Sequence, residues 1–238
     1  MKRALVFLSI ATALLTTGCT VYHPQAVDIP LLSHAGETHV DAGASMSFLG
    51  VPDALNLNVT ASHAFPYHVA GQVHANYGGD NWYLQAAPGV YATFGGVTVV
   101  EAYAGLGYGG AQRDSENGDD VRTSRFEGTY KLPFVQLNAG WRGLAKGHID
   151  FGFGFKGGAF IPDYWYEKYN EDGTVKPGSH EAYTTTNALF EPQMMFRIGG
   201  EHVKFSVKTG VAFMSDIHET SYFEADWFTL SAGLTFHF

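Results

Sequence analysis

Apolar and polar residues alternate with a period of two along most of the chain. At the C-terminal end, Phe228, Leu230, Ala232, Leu234, Phe236 and Phe238 alternate with Thr229, Ser231, Gly233, Thr235 and His237. Leu55, Leu57, Val59 and Ala61 alternate with Asn56, Asn58, Thr60 and Ser62. Similar runs recur near 39–48, 68–76, 82–91, 100–108, 135–141, 148–156, 190–198 and 202–213. Successive side chains of a strand point to opposite faces, so each run has one oily and one wet face. Most runs reach the roughly 9–11 residues of a tilted membrane strand, whereas strands of soluble sandwiches average about 5–6. The pattern predicts an all-β fold: a closed antiparallel transmembrane β-barrel of about ten strands, with eight possible. A soluble lipoprotein sandwich is the competing fold.

The connections test this independently. Taken in order, the even gaps are tight: 65–67, 95–96, 143–147 and 199–201. Three odd gaps, 109–124, 161–181 and 214–226, are long and polar. Outer-membrane barrels have short periplasmic turns and longer outer loops. Parity therefore puts both ends of the barrel in the periplasm.

The N terminus reads as an export signal. Lys2 and Arg3 precede an apolar stretch from Ala4 to Leu15, which is too short to span a bilayer as a helix. The Gly18-Cys19 junction resembles a bacterial lipobox, with Thr16 where that pattern usually carries Leu. The resemblance implies a lipid on Cys19; an ordinary signal peptide cut near Gly18 is the other reading. The expected organisation is a signal peptide at 1–18, a periplasmic linker at 19–36 containing Pro24 and Pro30, and the barrel at 37–238.

Composition agrees with a barrel: 15% aromatic, 16% charged and 29 glycines, with a net charge of −9. Mean hydropathy is −0.06, as expected if half of each strand faces lipid and half faces a lumen. No Lys/Arg-rich run exists, so nucleic acid is not an expected partner. The expected partners are outer-membrane lipid and the barrel-assembly machinery, with the surface ligand unknown. Cys19 is the only cysteine, which excludes an intramolecular disulfide and a Cys-based metal cluster.

Candidate chemistry is sparse. Two G-x-G-x-x-G matches, Gly105-Gly107-Gly110 and Gly152-Gly154-Gly157, lie in the polar phase of strands with no helix after them. They read as small lumen positions that leave room for large neighbours, not as nucleotide loops. His68 and His74 are about 20 Å apart along a strand, too far to share an ion. Asp216-Ile217-His218 looks like the Asp-x-His half of the omptin outer-membrane proteases, but no Asp-x-Asp partner occurs at the outer end of an early strand. The expectation is therefore no enzyme, no catalytic residue, no metal and no cofactor.

The predicted lumen carries Glu101, Asp150 and Glu191 against Lys156, Arg197, Lys204 and Lys208. The signs nearly balance, and a small barrel is filled by its own side chains. An internal ion-pair network is expected. In the 161–181 loop, Tyr164, Trp165, Tyr166 and Tyr169 form a possible binding surface or part of an aromatic belt; Trp82 and Trp141 suit the belt better. Phe236 and terminal Phe238 end a strand resembling the C-terminal signal that outer-membrane barrels present for assembly. Over 37–238 the chain resembles the small bacterial outer-membrane β-barrel family, and the Cys19 start with its Pro24 to Glu37 stretch resembles Bacteroidetes-type members. The resemblance implies a Gram-negative outer-membrane location. The expected role is structural or surface-binding, with a plugged lumen. The alternatives are a narrow porin-like pore for small solutes and an outer-membrane enzyme, either an omptin-like protease or a lipid-modifying hydrolase.

Overall fold

The computed structural model describes residues 19–24, 27–48, 55–116, 122–215 and 223–238. Its strands are β1 (Cys19–Tyr22), β2 (Thr38–Phe48), β3 (Leu55–Ala64), β4 (Val69–Tyr77), β5 (Asn81–Phe94), β6 (Thr98–Glu116), β7 (Arg122–Gly143), β8 (Ile149–Lys168), β9 (Glu181–Tyr183), β10 (Asn187–Gly199), β11 (Val203–Val211), β12 (Phe213–Met214), β13 (Phe223–Ala225) and β14 (Phe228–His237). Ten of them close an antiparallel ring in the order β10-β11-β14-β2-β3-β4-β5-β6-β7-β8, with β8 pairing back onto β10. The short β9 and β12 extend the wall at its outer rim. Closure leaves no bare strand edge along the ring, which a bilayer requires.

Burial is the inverse of a soluble protein's. On β3, Leu57 is 59% exposed while Asn58 beside it is 4% exposed. Leu55, Val59, Val73, Leu84, Val135, Leu137, Phe155 and Phe205 likewise face outward, where the bilayer lies. Asn56, Thr60, Ser62, Gln72, Gln136 and Asn138 face the lumen. Trp141 is exposed on the lipid face near the inner rim, as expected of a belt residue.

Inner-rim turns are tight. Gly95 and Gly96 both take positive φ (58° and 73°), which a two-residue hairpin of this hand needs and glycine supplies without strain. The outer side differs from the sequence expectation. The 109–124 and 161–181 stretches are not loops throughout: β6, β7 and β8 run for 19, 22 and 20 residues. That is about twice a membrane crossing, so these strands project beyond the bilayer. At the C terminus, Phe238 and Thr38 exchange backbone hydrogen bonds of 2.9 and 3.1 Å, locking the last strand to the first strand of the wall.

Candidate functional site

Residues 19–36 were expected to be a linker outside the barrel. The structure instead runs most of that stretch through the lumen, because its apolar side chains and backbone polar groups find partners there. At the outer rim, β1 pairs in parallel with β13, with Cys19 opposite Phe223. Tyr164 Oη donates to Val21 O at 3.0 Å, and Tyr22 Oη donates to Glu191 Oε1 at 2.8 Å. Deeper in, Val27 N donates to Gln193 Oε1 (2.7 Å). At mid-barrel, Asp28 O accepts from Gln136 Nε2 (2.7 Å) and Asn138 Nδ2 (3.1 Å). Pro30 O accepts from Arg197 Nη1 (3.3 Å), and Leu32 N donates to Glu101 Oε1 (2.7 Å). The chain thus descends from outer to inner rim before turning at Gly36 into β2.

The wall is shaped for this segment. Ile29 and Leu31 are fully buried and pack with Val27, Val99 and Met195. A methyl group on Gly152 would lie 2.9 Å from Ile29, one on Gly154 3.1 Å from it, and one on Gly140 2.9 Å from Leu31. Glycines in the second G-x-G-x-x-G therefore make room for a neighbour, and that neighbour is the lumen segment. Leu31 holds φ at +58°, a rare conformation for a bulky residue, fixed between Pro30 and the wall. Leu32 fills a second pocket with Ala64, Ala70, Ala87, Tyr91, Tyr103 and Phe134.

The seven lumen charges picked from the sequence, Glu101, Asp150, Lys156, Glu191, Arg197, Lys204 and Lys208, are all buried. Lys204 Nζ lies 2.6 Å from Asp150, and Lys156 Nζ lies 3.7 Å from Glu191. Lys208 Nζ lies 2.8 Å from Asp41, which also accepts from Ser206 and Thr235. Arg197 pairs with Asp28 of the segment (3.8 Å), as does Lys208 (3.6 Å). Glu101 takes hydrogen bonds from Leu32 N and Asn138 rather than an ion pair. Sequence reading missed Asp28 and Asp41. The signal for Asp41 was its place in the polar phase of β2.

At the inner rim, Arg142 pairs with Glu37 and also donates to Leu31 O (3.3 Å) and Ser33 Oγ (3.0 Å). Glu37 Oε2 accepts from Ser33 N (2.8 Å). Burial alone would raise the Glu37 pKa. The His237 hydrogen bond, the Arg142 charge and the Ser33 bond outweigh it and hold the carboxyl at about 2. This pair clamps the segment where it leaves the lumen.

The outer end is closed by an aromatic cluster of Tyr22, Tyr83, Phe126, Tyr130, Phe160, Tyr164, Tyr166, Tyr183 and Phe223. Phe126 stacks on Tyr164 at 4.9 Å and Tyr183 on Phe223 at 5.2 Å. Tyr164 and Tyr166, expected on a loop surface, are strand residues buried in this cluster. Trp165 and Tyr169 remain on the outside, where Arg125 and Arg122 sit over their rings at 5.6 and 5.7 Å. Asp216 and His218 lie outside the described residues. A different pair, His23 Nδ1 and Asp226 Oδ2 at 2.7 Å, sits at the outer rim. Among the described residues, no cluster of three or more His, Cys, Asp or Glu could hold a metal ion.

No family model matches the chain, and no curated protein matches it in sequence. Solved structures do match. The outer membrane protease OmpT from Escherichia coli superposes with a TM-score of 0.55 at 10% identity, covering 85% of this chain and 97% of that one. The KdgM porin matches with a TM-score of 0.37 at 11% identity, covering 84% and 99%. The first likeness is one of fold: a bacterial outer-membrane β-barrel. With the closed ring, it places the protein in the outer membrane. It does not single out the Bacteroidetes-type subset. It also corrects the expectation that the chain is not an enzyme. The fold is shared with a protease, so the architecture gives no ground for excluding catalysis.

Proposed function

We propose that the protein is a narrow outer-membrane pore for small polar solutes, closed by its own N-terminal segment. The observation that carries this reading is the seating of Val21–Tyr22 and Val27–Leu32 inside a polar-lined barrel. A purely structural or surface-binding barrel could fill its lumen with wall side chains. Here the wall keeps glycines opposite Ile29 and Leu31 and gives its lumen amides to a separate stretch of chain. Removing that stretch would uncover Asn, Gln, Ser and Thr side chains, the lining that passes small hydrophilic solutes. Planar-bilayer recording tests it. The full chain should be closed most of the time, and a variant lacking residues 20–32 should carry steady current. A variant that shows the heat-modifiable gel shift of a folded barrel yet passes no current would refute the pore.

A second reading, an outer-membrane hydrolase, is favoured by the His23–Asp226 pair. A histidine held by a carboxylate is positioned to move a proton. Its measure is cleavage of quenched fluorescent peptides or phospholipids by the purified barrel. Activity lost in Asp226→Asn with an unchanged gel shift would support it, and no turnover of either substrate would sink it.

A further inference from the structure

We propose that the lumen wall around Asp28 is a binding site for the carboxylate of a small anionic solute, which Asp28 occupies as an internal stand-in. The inference rests on the pore reading for how a solute reaches it. The Asp28 carboxylate meets side chains from five strands. Ser62 Oγ donates at 2.8 Å and Gln72 Nε2 at 3.2 Å. Lys208 Nζ lies at 3.6 Å, Arg197 Nη2 at 3.8 Å and His39 Nδ1 at 4.0 Å. Asp28 and its two cationic partners are buried almost completely.

The charge balance says what would replace Asp28. Lys204 faces Asp150, and Lys156 faces Glu191. Lys208 faces Asp41 as well as Asp28, while the ion pair of Arg197 is with Asp28. With the segment withdrawn, Arg197 and Lys208 would share one nearby wall carboxylate. The site would then hold one positive charge in excess, in a confined lumen where an uncompensated charge is costly. A monoanion restores the balance; a cation would be repelled. The hydroxyl of Ser62 and amide of Gln72 add directional donors, which distinguish a carboxylate from a spherical chloride. Gln136 and Asn138, which donate to Asp28 O, would suit a second oxygen acceptor on the same solute. The expected class is therefore a small monocarboxylate bearing a hydroxyl or carbonyl group.

Chemical rescue tests this without relying on conduction. In full-length Asp28→Ala, the midpoint of the heat-modifiable gel shift should fall by several degrees. Sodium formate, which can stand where the carboxylate was, should raise it again, and sodium chloride at equal ionic strength should not. Asp28→Ala combined with Arg197→Gln should show no rescue. If Asp28→Ala does not fold, Asp28→Asn is titrated with formate by the same readout. Absence of rescue, or equal rescue by chloride, overturns the site. Rescue in a barrel that never conducts supports the site and fells the pore reading; current without rescue does the reverse.

Discussion

Ile29→Ala is the sharpest test of the seated segment. Ile29 is fully buried, and its side chain lies over Gly152 and Gly154. Those glycines belong to β8, whose backbone pairs with β7 and β10 on either side. The wall cannot move inward to fill a void without breaking ladder hydrogen bonds. Ile→Ala substitutions in cores cost about 2–5 kcal/mol, and the cost is high where the site cannot collapse. About 3 kcal/mol is therefore expected, all of it charged to seating because the strand ladders are untouched. At roughly 1.4 kcal/mol per factor of ten, the ratio of seated to unseated segment falls on the order of 100-fold. Single-channel recording should show the open fraction rising by about that factor while the gel-shift midpoint moves little. Val100→Ala, on the lipid face of β6, is the control and should leave the open fraction alone. An open fraction unchanged in Ile29→Ala would mean that the segment's packing does not close the barrel.

Three further outcomes follow. Gly152→Val places a methyl group 2.9 Å or nearer from Ile29, so it should unseat the segment and raise the open fraction at least as much as Ile29→Ala; an unaltered channel would contradict the fit. The Glu37 carboxyl, held at about 2 against an ordinary 4.5, stabilises the fold fully above about pH 4.5 and loses that contribution as pH falls toward 2. Acid melts monitored by gel shift should thus show a loss in this window that Glu37→Gln lacks, and identical acid profiles would remove the clamp from the account. A peptide tag inserted after Cys19 should bind antibody on intact cells, since β1 lies at the outer rim; binding only after permeabilisation would place the segment elsewhere.

The barrel was legible because membrane strands write their two faces into alternate residues. Phe228 to Phe238 and Leu55 to Ser62 have the same phase in sequence and in burial. The lumen charges were legible for the same reason, since each fell on the wet phase of its strand. The segment was not legible because it has no period: Pro24 and Pro30 interrupt it, and Leu31 takes a left-handed φ. Its composition held a usable signal. Val27, Ile29, Leu31 and Leu32 within six positions are more apolar than a solvated linker needs. The projecting parts of β6, β7 and β8 were taken for loops because both faces lie outside the bilayer there. Arg113, Asp114, Arg125 and Glu127 can then stand where lipid-facing residues would have betrayed a strand.

The position of the segment also constrains the chemistry of Cys19. Its backbone is held at the outer rim opposite Phe223, while the clamp of Arg142 on Glu37 holds the other end at the inner rim. A lipid on Cys19 that stayed in the periplasmic leaflet would have to reach across the hydrocarbon core, about 30 Å thick. No backbone is left for that reach, because the chain between Cys19 and Glu37 is already committed to crossing the lumen in the opposite direction. Seating and a periplasmic anchor on Cys19 are therefore mutually exclusive. An acylated Cys19 either displays its lipid at the outer surface and pins the barrel shut, or keeps it in the periplasm and leaves the lumen open. Lipidation, if it occurs, thus bears on the state of the pore as much as on membrane attachment.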